Sequence, residues 1–382
     1  MLNGNPYPPN ADPASRPLEL CLPQALPQTP NQLMLGVFLP IGSWGHFPTS
    51  YPSPSDWTYA CNREITMFAE KAGFHFVLPA ARWKGAPGDR IDWRGVSLDP
   101  ITLAAALVEA TERIVVMTTL HTNVYHPVVA AKLCADLDQI SSGRCALNIV
   151  SGWNEDEFKS MGMDLLDHRT RYDYSREWLH VVEQIWRDGE CSFKGKFFNI
   201  QEAVGRPRPV QTPRPLIVNA GQSRTGIAFA AENADYAFSY FRNAENFRKA
   251  CEGVSKSPGF IGLQKVIVGE DRATARQTAE LIWEQRDVTA IRSMLVSSGA
   301  AKGRSIDDMM ADEDVVRNAV FEDAVIGDPS EVADELARRV VESRCAGICL
   351  TFFDYLQELR VFANEVVPRL ERNLSKHGIA IS

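Results

Sequence analysis

The sequence predicts an α/β protein folded as a closed (β/α)8 TIM barrel with insertion segments. Eight short apolar runs recur along the chain, and helical spacing follows nearly every one. Strand and helix alternate at intervals of roughly 30–40 residues, the rhythm of βαβ units in a parallel sheet. Eight such units close into a barrel more naturally than they wind an open sheet, and 382 residues are enough to build it.

Residues 1–32 are rich in Pro and Asn and read as an irregular arm, with a single barrel domain expected over 33–382. LMLGVFLP (33–40) has the unbroken apolar character of a strand buried on both faces. A helix follows over 55–73, with Ser55 as its N-cap and Gly73 past its end. The next strand is 74–79, and the helix over 97–113 carries Asp99 as cap and Pro100 at its first position. Strands at 114–119 and 145–150 flank a helix over 126–143, and a further helix covers 170–186. CSFKGKFFNI (191–200) breaks the rhythm and reads as a hairpin excursion. Strands follow at 216–220, 235–240 and 263–268, with helices at 223–234, 243–254 and 273–286. The charged tract over 287–327 reads as an inserted helical segment, either a lid or a solvated excursion. A helix over 327–343 opens on Asp328 and Pro329. The last strand is 347–351, and a helix broken near Pro368 closes the chain.

Forty Lys and Arg against 48 Asp and Glu give a net charge of −8, with no basic run, which argues against a nucleic-acid surface. No segment has the apolar length of a membrane span, and the N-terminus lacks the basic start and apolar core of a secretory signal. The eight cysteines are scattered without a C-x-x-C pair. They read as reduced thiols of a cytoplasmic protein rather than disulfides or metal ligands.

Barrel sites lie where strands run into the following loops. Those ends carry Arg82 and Trp83 after strand 2, Thr119 and His121 at strand 3, Asn148 and Trp153 at strand 4, and Asn219 to Ser223 after strand 5. H-E-x-x-H, G-x-S-x-G, the phosphate-loop motif and the dinucleotide fingerprint are all absent. So are paired carboxylates, and no lysine or metal set of the aldolase or hydrolase kind is evident at the strand ends. Hydroxyls, amides and one arginine suit a bound cofactor that brings its own chemistry. The turn Gly221-Gln222-Ser223 is either an anion cradle at a helix start or an ordinary βα turn capped by Ser223. Arg171 and Tyr172 offer a second phosphate contact or a surface Arg beside a packed Tyr. Glu157 reads as a solvated or helix-capping carboxylate. His121 and His126 read first as hydrogen-bonded structural residues. Trp83 and Trp153 read as an aromatic wall or as core packing.

In this order, DQISSGRCALNIVSGWNEDEFKSMG (138–162), HRTRYDYSREWLHVVEQIW (168–186), SFKGKFFNI and PLIVNAGQSRTGIAFAAENAD resemble the bacterial luciferase-like family of flavin-dependent monooxygenases. The resemblance runs from Leu33 to about Arg372 and is nearest the branch that opens pyrimidine rings, with sulfone-oxidising and riboflavin-cleaving branches as alternatives. It implies reduced FMN supplied by a separate NADH-dependent flavin reductase, and O2 activated as a flavin (hydro)peroxide. It also implies a homodimer or higher homo-oligomer acting on a small molecule. Carried over by residue, it implies flavin contacts at Ala81, Arg82, Asn148, Glu157, Arg171, Tyr172 and Ser223, with Gly221 and Gln222 in the same turn. Thr119 and Asn148 would stand at the oxygen-reactive edge as the catalytic pair. Arg82 replaces a lysine of the pyrimidine branch, keeping charge but not geometry. The loop 81–95 and the residues after strand 3 depart from that branch. A non-catalytic flavin- or F420-binding barrel is the competing class.

Overall fold

The computed structural model describes residues 31–254, 258–298 and 303–382. The arm expected over 1–32 lies almost wholly outside the described residues. Eight parallel strands form the barrel: β1 (Gln32–Phe38), β2 (Phe76–Leu78), β3 (Val115–His121), β4 (Cys145–Val150), β5 (Leu216–Asn219), β6 (Tyr236–Tyr240), β7 (Gly259–Val268) and β8 (Gly347–Thr351). Each pairs with the next, and β8 returns to β1 in the register Met34↔Gly347 through Val37↔Leu350.

Closure follows from the apolar pattern. Alternate residues of each strand point inward, so Met34, Phe76, Met117, Ala146, Val218, Phe238, Ile261 and Cys349, one from each strand, meet in a single interior cluster. The opposite residues, such as Val37, Val116, Leu147 and Leu350, pack in a larger cluster with the helices. Strands buried on both faces therefore appear in the sequence as continuous apolar runs.

Helices occupy the outside: α1 (Tyr59–Lys71), α2 (Pro100–Glu109), α3 (Pro127–Ser141), α4 (His168–Asp188), α5 (Arg224–Asn233), α6 (Ala244–Cys251), α7 (Pro329–Ser343) and α8 (Tyr355–Val361). Asp99 caps α2, and Asp328 with Glu331 forms a reciprocal capping box on α7. The cap of α1 is Thr58, not Ser55; Ser55 Oγ instead accepts from the Tyr355 amide, tying α1's entry to α8. α8 runs through a π-turn at Phe362–Val366 into Val367–Ser375. That bulge lets the helix continue past Pro368, which has no amide hydrogen to give. β7 begins four residues earlier than expected. It takes in Gly262, where a side chain would collide with the Phe241 ring.

Two excursions leave the barrel. Strands Glu190–Lys194 and Asn199–Val204 form an antiparallel hairpin after α4. Between β7 and α7 lie helices Arg272–Glu284, Val288–Ser297, Ile306–Ala311 and Glu313–Phe321, packed around Phe47, Ile282, Ile291 and Val320. The first residue of the 287–327 tract, Asp287, accepts from the amides of Asp89, Arg90, Ile91 and Ala290. Those bonds join the loop after β2 to the insertion. No described helix is long and apolar enough to cross a membrane.

Candidate active site at the barrel mouth

Thr119 and Asn148 are Cα partners across β3 and β4, and both point inward above Met117 and Ala146. Each is 2 % exposed. Asn148 Nδ2 donates to Thr119 Oγ1 at 3.0 Å, and that hydroxyl donates to the Pro79 carbonyl at 2.7 Å. The chain fixes the amide's orientation yet leaves Asn148 Oδ1 buried without a hydrogen-bond partner among the described residues. A buried acceptor without a donor is costly, so this oxygen fits a ligand that supplies one. Thr351 Oγ1 on β8 and His121 Nδ1 at the end of β3 are buried and unpartnered in the same way.

His121 does not show the expected hydrogen-bonded structural role at Nδ1, which is buried without a partner among the described residues. It packs edge-on to Phe158, and burial, reinforced by the Arg82 charge, pushes its pKa down to about 4. It is therefore a neutral imidazole at ordinary pH.

Glu157 is neither solvated nor a cap. Asn154 caps the short helix Glu155–Ser160 and turns Glu157 inward, where it is 1 % exposed. Its Oε1 accepts from the amides of Trp83 at 2.8 Å and Lys84 at 3.2 Å, and Arg82 Nη1 stands 3.5 Å away. The Arg82 guanidinium also lies 4.7 Å from the Trp153 ring centroid. Glu157 thus shapes the loop that presents Ala81 and Arg82. Burial lowers the pKa of Arg82, and Glu157 opposes that shift. Trp83 and Trp153 are 42 % and 39 % exposed, which rules out core packing.

The second cluster gathers at the start of α5. Ser223 caps that helix, its Oγ accepting from Gly226 N at 3.1 Å and meeting His168 Nε2 at 2.9 Å. The first-turn amides of Arg224 and Thr225 have no acceptor within the helix. A side chain at Gly221 would sit 2.7 Å from Gly226 Cα, and one at Gly226 would collide with the Tyr172 hydroxyl. The two glycines therefore let the turn, the helix start and Tyr172 close on one another. His168 packs on Tyr172, one helical turn further along α4. Arg171 Nη1 donates to the Gly152 carbonyl at 2.7 Å, while its Nε is buried without a partner. Gln222 is exposed at the turn's crest.

Sequence reasoning missed His168 and the whole opposite wall. Lys265 on β7 is 3 % exposed and donates to the carbonyls of His46 at 2.7 Å and Val320 at 2.9 Å. It pairs with Glu322 at 3.0 Å, and Tyr240 donates to the other Glu322 oxygen at 2.6 Å. Burial alone would raise Glu322; Lys265 and the Tyr240 bond outweigh it and hold the carboxylate ionised. A lysine at a strand end therefore does exist, but its ammonium is fully engaged and offers no nucleophile. The signal was a charged residue inside the apolar run LQKVIV.

A mouth of oriented amides and hydroxyls beside a helix start with free first-turn amides has the makings of a cofactor-dependent barrel enzyme. The luciferase-like monooxygenase family model matches residues 34–345, and the chain belongs to that family. It is 30% identical to the pyrimidine monooxygenase RutA of Cronobacter turicensis over 352 residues, 88% of this chain and 92% of the relative. RutA of Rhizobium rhizogenes is likewise 30% identical, over 88% of this chain and 96% of the relative. Riboflavin lyase RcaE superposes with a TM-score of 0.80 at 20% identity, covering 92% of this chain and 93% of that one. Long-chain alkane monooxygenase LadA does so at 0.78 and 20%, covering 91% and 92%. The chain is a flavin-dependent monooxygenase.

Proposed function

We propose that this enzyme uses reduced FMN, delivered by a separate NADH-dependent flavin reductase, to oxygenate a small planar amide-type ring of the pyrimidine kind. The observation that carries the flavin placement is the buried, unpartnered Asn148 Oδ1 beside Thr119, in line with a helix start built for a phosphate. The substrate class is supported by the RutA relatives, which align over most of the chain.

In this reading the α5 start, Gly221, Gln222 and Ser223, with Tyr172 and Arg171 beside it, holds the FMN phosphate. Ala81 and Arg82 contact the ring edge, and Glu157 holds their loop in place. Bound flavin supplies the two electrons that reduce O2. Thr119 and Asn148 orient the reacting edge, and the buried mouth excludes water. Oriented donors there stabilise negative charge developing on a substrate oxygen. Neutral His121 is placed to accept or donate one proton. The described residues of the 287–327 tract would serve as the mouth's cover, anchored through Asp287 and Glu322. The seven described cysteines are all free thiols, which suits a reducing cytoplasm. A homodimer or higher homo-oligomer is the expected assembly.

The test is incubation with reduced FMN, a flavin reductase, 18O2 and uracil, dimethyl sulfone or riboflavin. Label should enter a ring-opened product of uracil. Oxygen uptake that no candidate stimulates would leave a binding-only barrel as the better account. Label in a sulfone or riboflavin product would move the enzyme to that branch.

A further inference from the structure

Two of the cations at the mouth have a carboxylate partner. Arg82 faces Glu157, and Lys265 faces Glu322, whose two oxygens are taken by Lys265 and Tyr240. Arg94, in the loop after β2, has no carboxylate within 4.0 Å among the described residues. Its Nε donates to the Gly45 carbonyl at 3.1 Å, and Trp93 Nε1 donates to the same oxygen at 3.1 Å. Its Nη2 donates to His46 Nδ1 at 2.6 Å. That bond fixes the His46 tautomer, since Nε2 then carries the proton that faces the Leu39 carbonyl at 3.2 Å. Burial pushes the Arg94 pKa down to about 10, which still leaves it charged at neutral pH.

The guanidinium is held rigidly. Its Cζ lies 4.5 Å from the Trp93 ring centroid, and its backbone adopts φ +59, pinned by a bond from Arg94 N to the Ser43 carbonyl. Nη1 donates to nothing among the described residues. Clamping the Gly45 turn needs only Nε, so that role leaves the charge unexplained. Glu322 is the carboxylate that acts on the Arg94 charge, but it makes no contact within 4.0 Å and its two oxygens are engaged by Lys265 and Tyr240, so the guanidinium keeps room for a ligand anion. Beside it the packing is aromatic and largely buried. The His46 and Phe38 rings are 4.7 Å apart, Phe38 and Phe238 are 5.5 Å apart, and His46 and Tyr355 are 6.4 Å apart. These rings are tilted to one another by 32°, 54° and 48°, and an aromatic wall of this kind with a fixed guanidinium at its edge suits an unsaturated ring bearing an oxyanion.

We propose that Arg94 is the specificity-determining residue of the substrate pocket, and that the substrate is a planar heterocyclic acid whose carboxylate-type oxyanion docks on the free guanidinium edge. This rests on the reading that the barrel mouth holds flavin and substrate together, and it deepens that reading from a neutral ring to an acidic one.

The test is calorimetry on protein saturated with oxidised FMN, so that no turnover occurs. Uracil is compared with orotate, the same ring bearing a carboxylate. Orotate should bind at least about tenfold more tightly than uracil. Arg94→Gln should bring the ratio to about one while leaving FMN affinity unchanged, and Arg94→Lys should keep part of the preference. Equal affinities in the unaltered protein, no measurable orotate binding, or an orotate preference that survives Arg94→Gln would each overturn the proposal. Reduced FMN is titrated in parallel under anaerobic conditions. If Arg94→Gln weakens reduced FMN and spares orotate, the arginine serves the flavin ring and the substrate assignment falls. Orotate selectivity without FMN binding would retain the oxyanion site and remove the flavin reading. A thermal melt of each variant confirms folding, and should Arg94→Gln not fold, the lysine variant and the unaltered protein's ratio decide the matter.

Discussion

The β2–β5 side of the barrel mouth and the β6–β1 side are built on different principles. On the first, polar groups are held by backbone of adjacent strand ends and turns: Thr119 by the Pro79 carbonyl, Ser223 by the Gly226 amide, Glu157 by the amides of residues 83 and 84. On the second, the groups converge from the loop after β1 (His46), the loop after β2 (Arg94), β7 (Lys265) and the far insertion (Glu322). The first side resembles a fixed cradle for a recurring cofactor. The second is built from loops and the insertion, which is where substrate choice is expected to reside.

The largest expected effect lies on the cradle side. Asn148→Ala should lower labelled product per reduced flavin consumed by about 100-fold, the usual cost of losing an oriented polar group at a reacting edge, and should weaken flavin binding without abolishing it. Full coupling in that variant would remove Asn148 from the chemistry. Glu157→Ala strands two amides and Arg82, and should destabilise the fold by about 3 kcal/mol in denaturant titrations, with Glu157→Gln costing less. An unchanged midpoint would mean that the 82–84 loop is held by other contacts.

His121 links stability to pH. Its folded pKa of about 4 lies below the ordinary value of 6.5. Above pH 6.5 both folded and unfolded chains carry it neutral, and its contribution is fully present. As pH falls from 6.5 towards 4, the unfolded chain takes a proton that the folded chain refuses, so stability is lost across that window. Burial, with Arg94 and Lys265 nearby, lowers His46 in the same sense. His121→Gln should flatten part of this slope in denaturation midpoints taken between pH 7 and 4.5. An identical slope would show that His121 is not held neutral. The smallest effect is that of Ser223→Ala. Loss of the cap should cost about 1 kcal/mol and narrow the preference for FMN over riboflavin. An unchanged preference would move the phosphate away from this turn.

This contrast also explains what the sequence could show. All eight barrel strands were legible, because burial on both faces writes an apolar run that needs no tertiary knowledge. The Ser223 turn was legible because a strand end, a glycine and a helix cap lie within a few residues. Glu157 was misread because its burial is set by Asn154 turning a short helix against a loop more than seventy residues upstream. Ser55 was misassigned as a cap because its partner, the Tyr355 amide, is 300 residues away. Arg94 and His46 left no local pattern. They meet only once two loops have folded over the mouth.

The central claim is that this mouth grips a phosphate-tailed flavin. Anaerobic titration of the purified protein with reduced FMN and reduced riboflavin, read by flavin fluorescence, tests it most directly. The account predicts saturable micromolar binding of FMN, at least tenfold tighter than riboflavin. Equal affinities for the two, or no saturation at millimolar FMN, would contradict it.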